Sequence, residues 1–365
     1  MDTKLIIAGG FLGAGKTTLL FEAAHRLQKK GLHVGLITND QAPELVDSKL
    51  LELNKLRVTE VSGSCFCCNF EGFIDAIRYI RRKANADIII AEPVGSCTDL
   101  SASILQPLKQ FYGKEFTLAP LSVLTDPIRL RDILDGGNAG LHPDAAYIFR
   151  KQLEESDIIL INKTDLLQAD ELSNLRQRTQ TRYHEATVLT ASALTGVGLD
   201  EWLKETMESG QVAGSHIPEI DYDTYANGEA VLGWLNATIA VNNGFHITDW
   251  DEYMLKLMSL LADNLDTAGY AVGHVKVITE SVNSFTAGNI TGTRETMSIR
   301  GKAGSGTDAR VIINARVETS PKTLNDIVRR TLDTLAAEKY FYRVLKWYYL
   351  QPERPKPTHR FSAVV

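Results

Sequence analysis

Residues 10–18 read GFLGAGKTT, and the pattern G-x-x-x-x-G-K-T from Gly10 to Thr17 constrains the fold more than any other feature of the chain. A loop of this kind has to follow a buried strand and open a helix, so that amides freed by glycine turn inward to phosphate oxygens at a helix N-terminus. KLIIAGG before it and TTLLFEAAHRL after it supply that strand and that helix. Gly10, Gly13, Ala14, Gly15 and Thr18 then form the phosphate cradle, Lys16 brings a cation to the outer phosphates, and Thr17 offers a hydroxyl to Mg2+. The competing reading, a glycine-rich turn with an exposed lysine, does not account for the strand–loop–helix setting.

The rest of the first 210 residues repeats the alternation. HVGLITND, DIIIAEP, FTLAPLSVLTD, DIILINKTD and TVLTASA are apolar runs, separated by helical patterns such as FIDAIRYIRRKA. Continuous apolar strands between amphipathic helices predict a mostly parallel sheet covered on both faces, an α/β domain over 1–210. Small and turn-forming residues dominate 211–229, which reads as a linker. Over 230–350, WLNATIAV, YAVGHVKVITE and ARVIINARVE read as strands and the stretches near 249–265 and 321–337 as helices. That predicts a smaller α+β domain, with 351–365 as a tail. Alternation in VGHVKVI places His274 beside Val272 and Lys276 on one sheet face, where it reads as a surface histidine.

Base identity is written further along. DIILINKTD ends a strand with Asn162, Lys163 and Asp165, and a carboxylate at Asp165 accepts from both N1–H and the exocyclic amine of guanine, a pairing adenine cannot make. Ser192 and Ala193, in TASALTGVG, resemble the loop that closes over the base in GTPases. The expected ligand is therefore GTP. Asp40 and Glu92 end two further strands, at the edge where such sheets bind ligands. With Thr17 they make an all-oxygen set suited to Mg2+. Lys16, Asp40 and Glu92 are the expected catalytic residues, although Asp40 also fits an Asx turn or helix cap.

A second feature is GSCFCCNF at 63–70, which places Cys65, Cys67 and Cys68 within four positions in a chain holding 4 cysteines among 365 residues. Disulfide frameworks belong to short secreted chains. The N-terminus lacks the features of a signal peptide and no apolar stretch is long enough to cross a bilayer, so a cytoplasmic setting and no membrane partner are expected. In such a compartment clustered thiols hold a metal or do redox chemistry. A net charge of −6 without a long basic run argues against nucleic acid as a partner.

With P-loop, C-x-C-C, a strand-end glutamate and N-K-x-D in this order, residues 1–210 resemble the CobW-like P-loop GTPases, relatives of the GTPases that insert nickel into hydrogenase and urease. The resemblance implies GTP hydrolysis, metal delivery to a client metalloprotein, a link to cobalamin metabolism, and a transition metal on the C-x-C-C cysteines. Ser64 stands where the family has glycine, NDQA replaces Asn-Glu-Phe-Gly, and Glu92-Pro93-Val94-Gly95 replaces Glu-Thr-Thr-Gly. These departures bear on which metal is bound, and a C-terminal domain unlike the family's usual one implies a divergent member, serving a client metalloprotein or a corrinoid enzyme. A homodimer is compatible with this reading.

Thiolates are soft ligands, so Zn2+ or Co2+ is expected on Cys65, Cys67 and Cys68. Three cysteines this close need a sharp turn, which Gly63, Asn69 and Gly72 can supply, and a fourth position should stay open for transfer. Glu44 and Cys97 are candidates to complete the set. As bland alternatives, Glu44 reads as a solvated carboxylate and Cys97 as a small buried apolar residue. The alternative function is a GTP-switched chaperone or quality-control module for a corrinoid-dependent enzyme, with structural or redox-active cysteines.

Overall fold

The computed structural model describes residues 3–365 except 42, 44, 245, 283 and 293–296. Its first part alternates β1 (Thr3–Gly10), α1 (Lys16–Lys29), β2 (Val34–Asp40), α2 (Val46–Leu53), β3 (Val58–Ser62), α3 (Phe70–Ala84) and β4 (Ile88–Glu92). There follow α4 (Gln106–Tyr112), β5 (Phe116–Leu118), β6 (Ser122–Thr125), α5 (Pro127–Leu134), α6 (Pro143–Glu154), β7 (Ile158–Ile161), α7 (Ala169–Arg182), β8 (Thr187–Thr190) and α8 (Leu199–Glu208). The strands run in the order β3-β2-β4-β1-β6-β7-β8, with β5 paired to the start of β1, and every pairing is parallel. This is the mostly parallel α/β sheet expected from the sequence.

Successive side chains of a strand point to opposite faces, so the apolar runs feed two cores. Leu5, Ile7, Ile37, Ile89 and Ala91 pack with Phe70, Phe73, Ile74 and Ile77 of α3. Ile6, Ala8, Leu36, Ile88 and Ile90 pack with Leu19, Leu20, Ala23 and Leu27 of α1. Each Leu, Ile or Phe side chain among them stabilises by about 1.5–3 kcal/mol when fully buried. The loops at the C-terminal strand edge are left to bind ligands.

The second part holds α9 (Tyr222–Ala230), β9 (Gly233–Asn242), β10 (Thr248–Asp249), α10 (Trp250–Thr267), β11 (Val272–Glu280), β12 (Phe285–Ile290), β13 (Ser298–Lys302), β14 (Ser305–Gly306), β15 (Asp308–Val317), α11 (Pro321–Glu338) and β16 (Phe341–Leu350). Its main sheet is antiparallel, in the order β13-β12-β11-β15-β9-β16. One face, carrying Leu235, Ala237, Ile239, Val275, Val277, Val311 and Ile313, buries against α10 and α11. Polar residues of the opposite face reach the first part: Asn314 Oδ1 accepts from Val46 N at 2.7 Å, and Lys49 pairs with Glu280 at 3.1 Å. Val46, Ile278 and Ile312 seal that contact.

The structure departs from simple alternation at β11. A register shift between Val272 and His274 turns Val272 into the helix-side core, while His274 and Lys276 face the first part. His274 is buried, not a surface histidine. The stretch expected as a linker carries α9, which has no broad apolar stripe because it packs by close approach. A Cβ on Gly228 would lie 2.3 Å from the Asp144 carbonyl oxygen of α6. Residues 351–365 lie back on the first part: Phe361 N donates to Ala102 O at 3.1 Å and Arg360 pairs with Asp99 at 2.8 Å.

Candidate nucleotide and thiol site

The P-loop joins β1 to α1 through Gly10, Gly13 and Gly15, all at positive φ (128°, 81° and 94°). At Gly10 a side chain is excluded outright, since a Cβ would lie 2.2 Å from Leu124 O. The loop borders a cavity of about 940 Å³ that runs from Asn162 and Asp165 past Lys16 to Tyr270, ahead of β11, and Asn289 and Arg300 of the second sheet. Lys16 Nζ donates to Gly10 O at 2.8 Å and lies 3.9 Å from Glu92 Oε1. Burial pulls the Lys16 pKa down, partly offset by the Glu92 charge. A phosphate group would compensate that burial directly.

Thr17 Oγ1 donates to Asp47 Oδ1 at 2.7 Å and lies 3.2 Å from Glu92 Oε2. Burial, with the nearby Asp47 charge, pushes the Glu92 carboxyl up to about 7. Asp47 sits in the first turn of α2 and is held by Lys276 Nζ of β11 at 2.7 Å to each carboxylate oxygen. Burial opposes its ionisation, but Lys276 outweighs this and leaves its pKa lowered. Thr17 and Glu92 therefore come together as expected, and Asp47 joins them. Asp40, expected in the same set, is paired with Arg316 Nη2 of β15 at 2.6 Å, the guanidinium lying 4.0 Å from the Trp234 ring centroid. His274 lines the same cavity with Nδ1 lacking a hydrogen-bond partner among the described residues, and burial, helped by Lys276 and Arg316, keeps the ring neutral.

At the base end Asn162 is a brace. Its Nδ2 donates to Ala14 O at 2.8 Å and its Oδ1 accepts from Ala193 N at 2.9 Å, tying the P-loop to both following loops. Lys163 pairs with Asp126 at 2.7 Å, and Asp165 Oδ1 accepts from Ser192 Oγ at 2.5 Å. Asp165 and Ala193 border the cavity, with Leu166 and Leu194 beside them. The carboxylate is thus fixed in orientation while facing space for a planar ring.

The thiols sit beyond β3. The amides of Cys68 and Asn69 both donate to Cys65 O, at 3.1 and 3.0 Å, and Asn69 Oδ1 then caps α3 by accepting from Gly72 N at 3.1 Å. That turn gathers the sulfurs: Cys65 and Cys67 are 3.1 Å apart, Cys67 and Cys68 3.9 Å, and all three lie within 4.8 Å of one another. Tetrahedral ligation at a Zn–S distance of about 2.3 Å needs sulfurs roughly 3.8 Å apart, so the donor set fits a soft divalent ion. Cys97 is buried in the same core as Cys65 and Cys67 but is not among the three sulfurs that lie within 4.8 Å of one another. The neighbouring thiols, Cys67 first and then Cys68, hold the Cys65 pKa well below its usual value. All four cysteines are free thiols. Glu44, the other candidate for this centre, lies outside the described residues.

Two elements bind the thiol loop to the nucleotide site. Asn39, next to Asp40 on β2, donates to Val61 O at 2.9 Å and Ser64 O at 2.8 Å, and accepts from Phe66 N at 2.9 Å. The loop after β4 runs from Glu92 past Gly95, where a Cβ would lie 3.1 Å from Lys16 Nζ, to Cys97. The tail closes the far side, Thr358 N donating to Cys67 O at 2.8 Å and Lys356 N to Cys68 Sγ at 3.3 Å.

Residues 4–190, just over half of the 365, match the family model described as CobW/HypB/UreG, nucleotide-binding domain. The chain belongs to the CobW/HypB/UreG family. Among curated relatives it is 24% identical over 256 residues to "Zinc-regulated GTPase metalloprotein activator 1" of Dictyostelium discoideum, covering 59% of this chain and 54% of that protein. It is 27% identical over 205 residues to "Zinc chaperone CobW" of Pseudomonas aeruginosa, covering 47% and 51%. The chain thus spans about half the length of these relatives. Among solved structures, Zn(II)-bound YjiA GTPase from E. coli aligns over 91% of this chain and 99% of that one, at 16% identity and a TM-score of 0.37.

The CobW/HypB/UreG model ends before Lys276 and Arg316, the two cations that β11 and β15 bring to its acidic residues. Sequence reading did not single out either, nor Asp47. For Asp47 a local signal existed, an acid in the first turn of a helix soon after β2. For Lys276 and Arg316 there was none, since a lysine or arginine on an alternating strand reads as a solvated face.

Proposed function

We propose that this chain is a magnesium-dependent GTPase whose nucleotide state sets the hold of a thiolate site on a transition metal, zinc or cobalt, and its hand-over to a client metalloprotein. The observation that carries the reading is how closely the two sites are joined: the loop after Glu92 approaches the P-loop lysine at Gly95 and ends at Cys97 in the core that holds Cys65 and Cys67, while Asn39, beside Asp40, hydrogen-bonds Ser64 and Phe66 of the thiol loop. The names of the curated relatives, a zinc-regulated GTPase and a zinc chaperone, point the same way. A cytoplasmic setting suits four free thiols.

In this reading Lys16 and the P-loop amides bind the phosphates, and Asp165, oriented by Ser192, selects guanine. Magnesium would be held by Thr17 with carboxylates drawn from Glu92, Asp40 and Asp47, and when bound it neutralises charge on the β- and γ-phosphates. Asp47 and Asp40 are ion-paired to Lys276 and Arg316 of the second sheet. Recruiting either carboxylate to the nucleotide therefore exchanges a contact between the two parts of the molecule, which is how hydrolysis would be felt away from the phosphate. The test is GTP turnover and affinity in Lys16→Ala, which deletes the phosphate cation without removing a core side chain. Turnover should fall at least a hundredfold, about 3 kcal/mol of lost charge stabilisation. Equal turnover would refute the assignment.

A further inference from the structure

The second sheet closes the P-loop cavity on one side, and β11 is the strand that lies across the loop. A Cβ on Gly13 would lie 2.7 Å from Thr291 Cγ2 and 3.6 Å from Gly273 O. Arg129 ties the same two segments together, Nη1 donating to Leu12 O at 2.9 Å and Nη2 to Val272 O at 3.1 Å. Further along β11, Lys276 Nζ lies 3.4 Å from Thr17 Oγ1. The strand is thus anchored at both ends of the phosphate cradle, and His274 stands between the anchors, lining the cavity with Lys276. The register shift between Val272 and His274 gives the ring that direction, and bulges of this kind re-aim side chains beside active sites. His274 is 7% exposed, and its Nδ1 has no hydrogen-bond partner among the described residues. Buried polar atoms are as a rule paired, so this one calls for a partner from outside the chain.

We propose that His274 recognises the terminal phosphate of the nucleotide in cis, donating from Nδ1 to a γ-phosphate oxygen, so that the second sheet distinguishes a nucleoside triphosphate from a diphosphate. The inference rests on the GTPase reading above and adds to it the residue that senses the γ-phosphate. In a P-loop the lysine reaches the β- and γ-phosphates and the threonine hydroxyl meets magnesium, so the outer phosphate lies against the stretch from Gly13 to Thr17 that β11 covers. Lys16, Arg129, Lys276 and Arg316 border the same cavity and supply its positive charge. A neutral imidazole adds one directed N–H to them. With a diphosphate the accepting oxygen is missing and Nδ1 stays unpaired, so β11 is held to the P-loop more firmly in the triphosphate state.

The experiment compares binding of a non-hydrolysable GTP analogue and of GDP, each with Mg2+, by calorimetry on the full chain in wild type, His274→Phe and His274→Gln. Phenylalanine fills the place of the ring without a donor, and glutamine keeps an N–H. Affinity for the analogue should fall about tenfold or more in His274→Phe, the loss of one hydrogen bond to a charged group, with GDP affinity unchanged and His274→Gln recovering part of the loss. Thermal unfolding verifies that each variant is folded, and a second measurement needs no variant: amide hydrogen exchange across β11 of wild type should be slower with the analogue than with GDP. Unchanged affinity for the analogue, an equal loss for analogue and GDP, or equal exchange of β11 in the two nucleotide states overturns the role of His274 and leaves the GTPase reading standing. Failure of wild type to bind either nucleotide overturns that reading and this inference together.

Discussion

Glu92 shows how a single carboxyl at the phosphate site carries both the cost and the use of burial. Its pKa is raised from 4.5 to about 7, mainly because burial disfavours the carboxylate and secondarily because Asp47 is ionised nearby. Below 4.5 it is protonated in both folded and unfolded chains; between 4.5 and about 7 the folded chain holds a proton that the unfolded chain has released. Its contribution to stability is therefore full below 4.5 and is lost as pH rises through about 7. Glu155, raised to about 8 chiefly by burial, adds a slope of the same sign, so the comparison has to isolate Glu92. In nucleotide-free protein, Glu92→Gln should flatten the fall in chemical-denaturation stability across this window and leave the variant more stable at pH 8, by on the order of 2–3 kcal/mol. Parallel pH curves for variant and wild type would contradict the assignment. At pH 8 the same glutamate is charged and available to a magnesium-bound nucleotide, so the variant should also bind that nucleotide less tightly.

At the scale of elements, what could be read from the sequence follows the range of the interactions involved. The P-loop, the N-K-x-D turn and the strand-end Glu92 are local patterns whose chemistry requires neighbouring strand and helix, and they were legible for that reason. Asn39 lay beside a residue that was singled out, yet its three hydrogen bonds, one to β3 and two to the thiol loop, depend on β2 pairing with β3. β16 gave no signal because it is an edge strand, largely exposed, without strict alternation in FYRVLKWYYL. The tail was equally silent, since its docking uses backbone amides, the Arg360–Asp99 ion pair and a few rings, His359 lying 5.2 Å from both Phe70 and Phe111. That docking has a consequence for the thiols. Removing residues 352–365 strips the amides from Cys67 O and Cys68 Sγ, and the rate of Cys68 modification by a disulfide reagent in reduced, metal-free protein should rise about tenfold or more, the effect of losing a contact worth about 1.4 kcal/mol. An unchanged rate would show that the tail does not guard the cluster.

Across the whole molecule, apolar packing joins the second part to the first alongside the ion pairs Lys276 to Asp47, Arg316 to Asp40 and Lys49 to Glu280, the first two of them at the phosphate end. Two of these three pairs use acids that a magnesium-bound nucleotide can compete for, so the antiparallel sheet is placed to respond to the nucleotide. Thiolate zinc sites are worth on the order of 10 kcal/mol, while moving a two-state population from 1:99 to 99:1 needs about 5.5 kcal/mol. On the proposed reading, GTP binding would retune the metal centre without expelling its ion, and a client ligand would complete the transfer. Retuning must be reciprocal, since any factor by which nucleotide changes metal affinity is the factor by which metal changes nucleotide affinity. The measurement is a competition titration of zinc against a chromophoric chelator, on reduced full-length protein saturated with magnesium and either a non-hydrolysable GTP analogue or GDP. The two zinc affinities should differ by roughly 5- to 150-fold, matched by the same ratio when nucleotide affinities are measured with and without zinc; identical zinc affinities in the two nucleotide states would contradict the coupling of GTP to metal.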